Sequence, residues 1–294
     1  TKCKGCAECV QVCDDQALKM IKKTDTNMPV IRRRFDHFKQ VGPTPEDYIN
    51  EKVLADMMLR DNTLQYVGGA GSCAGCGEGT ALRMRCSATG IKSGDDWGIV
   101  AATGCNTVYT STYPYNPYMV PWVNSLFENA PADAMGVRSR WNQIGWEDYP
   151  LWCIGGDGAM FDIGFQSLSR MLASGMNIKV FVLDTQVYSN TGGQASTATY
   201  TGQNAKMSLH GKVIKGKQER RKEIAQMAMM HPRTFVAQKT GAHTNHFYTP
   251  VLAALEFDGP AVISCYTTCQ PEHGVADNMA ADQARLAVDT RAFP

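Results

Sequence analysis

The sequence predicts a doubly wound α/β domain with a mainly parallel sheet, preceded by a small cysteine-rich head. Three observations support this prediction. Apolar runs of strand length alternate with segments of helical periodicity through most of the chain. A Gly-Asp-Gly turn, Gly156–Gly158, falls between one such strand and a helix. Four of the eleven cysteines stand within the first 13 residues, which indicates a separate metal-binding head.

Length and composition set the limits of what the chain can be. Its 294 residues allow one large domain plus an appendage, and 44% hydrophobic with 19% charged residues is ordinary for a globular protein. The formal net charge of +1 gives no reason to expect nucleic acid or a membrane surface as a partner. No apolar run reaches the roughly 18 residues of a membrane span. Thr1-Lys2-Cys3 lacks both a signal sequence and an initiator Met, so we expect a processed or upstream-extended chain in the cytoplasm, with reduced cysteines.

We expect three regions along the chain. Residues 1–25 form the head, residues 26–66 form a connector and residues 67–294 form the main domain. Within the connector, the spacing of apolar residues predicts a helix over Pro45–Leu59. The basic triplet Arg32–Arg34 is expected to be a solvated face.

The main domain alternates strands with helices. The predicted strands are Trp97–Thr103, Leu151–Gly155, Ile178–Leu183, Thr234–Gln238 and Ala261–Ser264. One predicted helix follows Cys76, and three others cover Phe161–Ser174, Glu223–Met230 and Thr249–Leu255. Right-handed crossovers between strands at these distances give a mainly parallel sheet.

The head has the spacing C-x2-C-x2-C-x3-C, contributed by Cys3, Cys6, Cys9 and Cys13. This spacing is typical of a bacterial-type ferredoxin, in which thiolates converge on a [4Fe–4S] cluster. Asp14 replaces the usual proline, and the partner motif of a two-cluster module is absent from the chain. Either that motif lies upstream or on another chain, or Cys13 closes a single cluster. A zinc knuckle and metal-free cysteines are the alternatives.

The Gly156–Gly158 turn is informative because of its place between two predicted strands. Alone it is an ordinary turn, but Thr185 ends the next predicted strand. A carboxylate from one strand end and oxygens from its neighbour suit Mg²⁺, which prefers oxygen ligands. The helix starting near Phe161 would then favour a diphosphate at its N-terminus, with Asp162 as a capping or dipole residue on its first turn. Such a crevice lies beyond the carboxyl ends of the strands.

These motifs resemble the diphosphate-binding domain of pyruvate:ferredoxin oxidoreductases, from about Val67 to His273. The segments that carry the resemblance are Gly155–Gly158, Asp162–Gly164, Leu172–Gly175, Thr185–Gln194 and, upstream, Asn124–Asn129. The head resembles half of the family's ferredoxin domain. The resemblance therefore implies a thiamine-diphosphate-binding fold that carries Mg²⁺ and [4Fe–4S] clusters.

The resemblance also implies roles for single residues. Asp157, Thr185 and the carbonyl of Val187 would bind Mg²⁺, and Asn190 would face the substrate as a catalytic residue. The residues that it assigns to cofactor binding are Thr103, Gly104, Cys105, Gly156, Asp157, Gly158, Thr185, Val187 and Asn190.

A second cysteine set lies in the main domain. The resemblance assigns four of its thiolates to a proximal [4Fe–4S] cluster, namely Cys73, Cys76, Cys105 and Cys269. The family has His three residues after the last cysteine, whereas His273 comes four residues after Cys269. Cys265 is therefore the alternative ligand, although Tyr266 keeps its family offset before Cys269.

The remaining notable residues receive structural interpretations. Cys86 and Cys153 are expected to be buried small hydrophobes. The segment Lys212–Lys222 holds six cations against one Glu. It is expected to be a solvated basic face that could attract an acidic electron carrier.

The activity implied by the resemblance is oxidative decarboxylation of a 2-oxoacid with coenzyme A. Pyruvate is the first choice, and oxalate or 2-oxoglutarate are alternatives. Electrons would leave through the clusters to ferredoxin or flavodoxin. The glutamate that activates thiamine belongs to a pyrimidine-binding domain not recognised in this sequence. We therefore expect partner subunits or domains and a chain that is inactive alone.

Two rival functions belong to other classes. A non-oxidative thiamine lyase or decarboxylase would use the same Mg²⁺ site and would need no cluster. A non-catalytic electron-transfer or scaffold subunit would carry a degenerate thiamine site. The cysteine sets argue against the first, and intact Asp157, Thr185 and Asn190 argue against the second.

Overall fold

The computed structural model describes residues 7–11, 13–50, 59–60, 65–66, 71–110, 116–208, 213 and 215–293. Within these residues, six strands form one parallel sheet in the order β2-β1-β3-β4-β6-β5. The strands are β1 Gly98–Ala102, β2 Trp122–Ser125, β3 Leu151–Gly156, β4 Lys179–Asp184, β5 Phe235–Thr240 and β6 Ala261–Tyr266. The predicted parallel α/β sheet is confirmed.

Ten α-helices connect and flank these strands in the described part of the chain. They are α1 Glu8–Gln11, α2 Met28–Phe38, α3 Gly77–Ser93, α4 Cys105–Val108, α5 Ala130–Gln143, α6 Phe165–Ala173, α7 Ile224–Met229, α8 Thr244–Glu256, α9 Gln270–His273 and α10 Ala280–Asp289. A 3₁₀ turn covers Glu46–Tyr48, and a wide π-helical turn covers Gly158–Ile163.

Helices cover both faces of the sheet and bury its central strands on both sides. In β3, Trp152 packs into one core and its neighbour Cys153 into the other. The first core is completed by Leu82 of α3 and Phe247 of α8, and the second by Leu168 of α6 with residues of α5 and α7. Full burial of one such apolar side chain contributes roughly 1.5–3 kcal/mol. These two cores make the sheet doubly wound, and they hold the strand ends that form the site.

Most predicted strands and helices agree with the structure within a few residues, but several elements were missed. The edge strand β2 is short and partly exposed, so it lacks the apolar run that marks the buried strands. The helices α2, α5 and α10 were also missed. Of the predicted helix Pro45–Leu59, the structure has the 3₁₀ turn at Glu46–Tyr48, and residues 51–58 lie outside the described residues. The Arg32–Arg34 triplet lies exposed on α2, as expected.

The head is described only in part. Cys3 and Cys6 lie outside the described residues, while Cys9 lies on α1 and Cys13 follows it. The Gln11 amide donates to Oδ2 of Asp282 at 2.6 Å, so α1 contacts α10 of the main domain. The cluster assignment and the boundaries at residues 25 and 66 remain predictions. Over the ranges described above, no helix is both long and apolar enough to cross a membrane.

Candidate cofactor site at the carboxyl edge of the sheet

A cavity of about 230 Å³ opens where β1, β3 and β4 end. All nine residues that the sequence assigned to cofactor binding line this cavity: Thr103, Gly104, Cys105, Gly156, Asp157, Gly158, Thr185, Val187 and Asn190. The segments after β1, β3 and β4 converge here because parallel strands end at the same edge of the sheet. The cavity also has lining residues that the sequence analysis gave no role, among them Glu78 and Tyr188.

The three predicted Mg²⁺ ligands lie close together. Oγ1 of Thr185 is 3.3 Å from Oδ1 of Asp157 and 2.9 Å from the carbonyl oxygen of Val187. The chain turns sharply after β4 through Gln186, whose φ of 60° is in the left-handed region. This turn brings the Val187 carbonyl back beside the Thr185 hydroxyl. A carboxylate, a hydroxyl and a carbonyl therefore form one oxygen cluster of the kind that a hard cation binds.

Asp157 is a buried carboxylate without a cationic partner among the described residues. The Ser196 hydroxyl donates to it, and burial together with the charge of Asp184 raises its pKa. By contrast, Asp184 is equally buried but lies 3.1 Å from Nη2 of Arg221. An uncompensated buried charge is costly, so the surroundings of Asp157 fit a bound cation.

Asp162 has a different role from the one expected. We expected a capping or dipole residue, but no side chain caps the turn Gly158–Ile163. Instead Asp162 accepts hydrogen bonds from the Tyr188 hydroxyl at 2.5 Å and from the backbone N–H of Thr197 at 3.3 Å. The Thr197 hydroxyl also donates to it. Asp162 therefore fastens the loop after β4 to the turn after β3.

The turn after β3 also needs a glycine at Gly158. A Cβ atom at this position would lie 2.7 Å from two ring carbons of Tyr188. Helical structure begins at Gly158 rather than near Phe161, so the first free backbone N–H groups come directly after Asp157. Free N–H groups at such a start favour an anion.

The basic segment Lys212–Lys222 was expected to be a solvated face, and this is wrong for half of its cations. Lys217 is buried, and its ammonium donates to the carbonyl oxygens of Ser196 at 2.9 Å and Thr199 at 2.8 Å. Arg221 pairs with Asp184, and Lys222 donates to the Phe161 carbonyl. Lys212 lies outside the described residues, while Lys215 and Arg220 are exposed.

The second cysteine set comes together beside the same cavity. Burial raises the pKa of the Cys105 thiol, and the charges of Glu78, Cys269, Cys76 and Cys73 raise it further. These thiols therefore lie within electrostatic reach of one another. No three His, Cys, Asp or Glu side chains in the described part of the chain are arranged to hold a metal ion. The four thiols therefore lie near one another but are not arranged as a complete set of metal ligands.

The turn that carries Cys73 and Cys76 is fixed by close packing. Gly75 has a φ of 67°, and a Cβ there would overlap the carbonyl oxygen of Asp277 at 1.7 Å. The Gly79 N–H donates to Sγ of Cys76 at 3.4 Å. In the head, the Ala17 N–H similarly donates to Sγ of Cys13 at 3.3 Å. Hydrogen bonds of this kind also surround sulfur ligands of iron–sulfur clusters.

The two candidates for the last ligand occupy different environments. Cys265 is fully buried in β6 and belongs to the hydrophobic core. Cys269 is partly exposed at the start of α9, near the hydroxyl of Ser189, which lines the cavity. The geometry therefore favours Cys269. Cys86 and Cys153 are fully buried, as expected.

Glu78 was missed although it follows Cys76 by two residues. It is buried at the start of α3 and accepts a hydrogen bond from the Tyr109 hydroxyl at 3.0 Å. Burial raises the pKa of Glu78 to about 7. Its position between the cysteines and the cavity depends on tertiary packing, which the Cys-Gly-Glu sequence does not reveal.

Comparison with known proteins agrees with this site. The family described as thiamine pyrophosphate enzyme, C-terminal TPP binding domain, matches residues 102–265. Pyruvate synthase subunit PorB of Pyrococcus horikoshii is 34% identical, over 77% of this chain and 70% of the relative. Pyruvate:ferredoxin oxidoreductase of Moorella thermoacetica is 27% identical, over 99% of this chain but only 31% of the relative.

A solved structure shows the same fold. It is 2-oxoglutarate:ferredoxin oxidoreductase from Magnetococcus marinus with 2-oxoglutarate, coenzyme A and succinyl-CoA bound. The two chains are 21% identical with a TM-score of 0.57, and the match covers 68% of this chain and 64% of the other. On the strength of the domain match and the PorB relatives, the chain belongs to the pyruvate:ferredoxin oxidoreductase family of thiamine-diphosphate-dependent enzymes.

Proposed function

We propose that this chain is the thiamine-diphosphate and iron–sulfur part of a larger complex. The complex would oxidatively decarboxylate a 2-oxoacid, with pyruvate the first choice, to acyl-CoA, CO₂ and reduced ferredoxin. The observation that carries the proposal is an oxygen cluster and Cys105 on one cavity, with Cys73, Cys76 and Cys269 within electrostatic reach of the Cys105 thiol. A non-oxidative lyase would need the oxygen cluster alone. The names of the PorB and pyruvate:ferredoxin oxidoreductase relatives support the choice of pyruvate.

The chain's own residues fit a magnesium diphosphate. Asp157, Thr185 and the Val187 carbonyl would supply oxygen ligands, and a divalent cation would compensate the unpaired Asp157 carboxylate. The diphosphate would lie against Gly104 and the turn starting at Gly158, where side chains are absent and backbone N–H groups are free.

The second cysteine set fits an iron–sulfur cluster in chemical terms. Cys73, Cys76, Cys105 and Cys269 would be its ligands. Burial raises the pKa of Cys76 to about 12, so this thiol is protonated without a metal and would release its proton on ligation. When bound, thiamine diphosphate supplies an electron sink for loss of CO₂, and a cluster accepts the electrons.

Other residues would bind the substrate and exclude water. Asn190 is exposed at the cavity lining, where its amide could hydrogen-bond a 2-oxoacid. Phe127 and Val187 contribute apolar lining, which would keep water from the reacting carbon. The contacts to coenzyme A and to the aminopyrimidine would come from partner subunits or domains.

The head would carry electrons out of the crevice. The contact between Gln11 and Asp282 holds α1 against α10, and α10 follows the segment containing Cys269. A [4Fe–4S] cluster bound by Cys3, Cys6, Cys9 and Cys13 would then pass electrons to ferredoxin or flavodoxin in the cytoplasm.

The decisive experiment is anaerobic reconstitution of the complex. We expect ferredoxin reduction with one 2-oxoacid of a panel, dependent on coenzyme A, and about eight iron atoms per chain with matching acid-labile sulfide. CO₂ release without iron or ferredoxin reduction would indicate the non-oxidative lyase. Failure of the complex to bind thiamine diphosphate would indicate a scaffold subunit.

A further inference from the structure

His273 joins the two halves of the site through both of its ring nitrogens. The backbone N–H of Cys269 donates to Nδ1 at 3.3 Å, and Nε2 lies 2.8 Å from the carbonyl oxygen of Thr185. Because Nδ1 faces an N–H group, it must accept, and the proton must be on Nε2. The ring therefore uses one neutral tautomer, with Nε2–H donating to Thr185.

The two residues that His273 contacts come from neighbouring strands. Thr185 follows β4 and Cys269 follows β6. The last hydrogen bond between these two segments runs from the Thr267 N–H to the Asp184 carbonyl at 3.0 Å. Beyond that bond the segments diverge, one toward the oxygen cluster and the other into α9. His273, on the last residue of α9, reconnects them.

The short helix α9 is what allows this bridge. The backbone N–H of His273 donates to the carbonyl of Cys269 at 2.9 Å, which closes one helical turn and returns the imidazole over Cys269. The histidine therefore stands four residues after the cysteine, where a helical turn brings the two together.

We propose that His273 is a positioning residue that fixes the Cys269 segment to the Thr185 segment and so sets the cluster ligand relative to the thiamine site. This inference rests on the proposed function. Hydrogen-bond partners behind a metal ligand orient that ligand, and their loss typically weakens metal binding or activity roughly 10- to 100-fold.

One ring that holds both segments makes them energetically coupled. Binding of magnesium and thiamine diphosphate at the Thr185 side should alter the surroundings of the cluster ligand at the Cys269 side, and the effect must be reciprocal. In the wild-type complex that carries its clusters but no thiamine diphosphate or Mg²⁺, we therefore expect the electron paramagnetic resonance spectrum of the reduced proximal cluster to change when both are added.

Two substitutions separate the two bonds of His273. In His273→Asn the amide oxygen can replace Nδ1 and accept from Cys269, but the side chain is too short to reach Thr185. In His273→Gln the amide nitrogen can replace Nε2 and donate to Thr185, while the Cys269 N–H loses its acceptor. Both keep a polar side chain of similar or smaller size.

The expected results differ between the variants. In the assembled complex that carries its clusters, His273→Asn should bind added thiamine diphosphate with Mg²⁺ about tenfold more weakly, the effect of losing one buried hydrogen bond. Its cluster spectrum should no longer respond to the cofactor. His273→Gln should keep near wild-type cofactor affinity but should show an altered cluster spectrum and midpoint potential before any cofactor is added.

The chain offers a matched control in His231. Its ring also bridges two elements, with Nε2 2.8 Å from Oγ of Ser169 on α6 and Nδ1 3.0 Å from the carbonyl of Met227 on α7. His231 is not among the residues that line the cavity. His231→Asn and His273→Asn should both lower the thermal midpoint, but His231→Asn should leave cofactor affinity and the cluster spectrum unchanged.

Three outcomes would overturn the inference. The first is a His273→Asn complex with wild-type cofactor affinity and spectral response. The second is a wild-type cluster spectrum that does not change when the cofactor is added. The third is a His231→Asn complex with the weakened cofactor binding and lost spectral response expected of His273→Asn. If His273→Asn does not assemble, a His273→Gln complex with an unaltered spectrum and potential is decisive against it. A wild-type complex that lacks iron or does not bind thiamine diphosphate would instead refute the proposed function, and this inference with it.

Discussion

Replacement of Asp157 by Asn should have opposite effects on cofactor binding and on stability. The substitution keeps the shape of the side chain and removes its charge. One amide atom can still accept from Ser196, and the amide nitrogen can face the hydroxyl of Thr185. Because Asp157 has no cationic partner among the described residues, no ion pair is lost with the charge.

The magnitudes follow from this environment. At a pH where the Asp157 carboxylate is ionised, removing this buried charge, which no cation compensates, should stabilise the cofactor-free complex by roughly 1–3 kcal/mol. The same change removes a full charge from a Mg²⁺ site that faces a diphosphate. Affinity for thiamine diphosphate with Mg²⁺ should fall by one to two orders of magnitude, or about 1.4–2.8 kcal/mol.

The assay combines calorimetric titration of the cofactor with thermal unfolding of the cofactor-free complex. Asp184→Asn is the matched control, because Asp184 is equally buried but paired with Arg221. Breaking that pair should cost roughly 3–5 kcal/mol of stability. If Asp157→Asn is destabilised as strongly as Asp184→Asn, or binds the cofactor normally, the identification of Asp157 as an unpaired metal ligand is wrong.

Three further predictions concern packing, cluster ligation and pH. Gly158→Ala would put Cβ 2.7 Å from the facing tyrosine ring, so cofactor affinity, measured by titration, should fall. Cys269→Ser should remove the electron paramagnetic resonance signal of the proximal cluster, whereas Cys265→Ser should keep that signal and cost about 1 kcal/mol of packing. The reverse result would identify Cys265 as the ligand. Burial lowers the pKa of Lys179 to about 8. Its ammonium therefore penalises the folded state below that pH, and wild type should gain stability over Lys179→Met in urea titrations as the pH rises from 7 to 10.

The central sheet could be predicted because its strands are buried on both faces. A run such as Ile178–Leu183 is apolar on both faces apart from Lys179, so the sequence predicts this strand directly. The edge strand β2 carries half-exposed residues, and α5 is interrupted by Gly136, so neither has a clear period. Their structure depends on packing against β1 and β3 rather than on local pattern.

The site divides in the same way. The meeting of Asp157 and Thr185 could be predicted because they follow consecutive strand ends, which the parallel sheet brings to one edge. The Val187 carbonyl was predicted from the family resemblance alone. The contacts of Asp162 and the burial of Glu78 join segments distant in sequence, and no spacing rule reveals them. Lys217 was misjudged for a related reason. A cluster of cations is usually solvated, and here backbone carbonyls from a neighbouring loop supply its partners.

The inward-facing cations have a consequence for how this protein can change partners. An acidic carrier approaching the basic segment would meet Lys215 and Arg220, which are exposed. The other described cations face inward: Lys217 donates to carbonyl groups of the loop that carries Thr185, Arg221 pairs with Asp184 at the end of β4, and Lys222 donates to the turn after β3. Replacing every cation of the segment to suit a different carrier would therefore also remove these inward contacts. Among the described cations of the segment, Lys215 and Arg220 are exposed, so substituting these two would leave the contacts of Lys217, Arg221 and Lys222 in place.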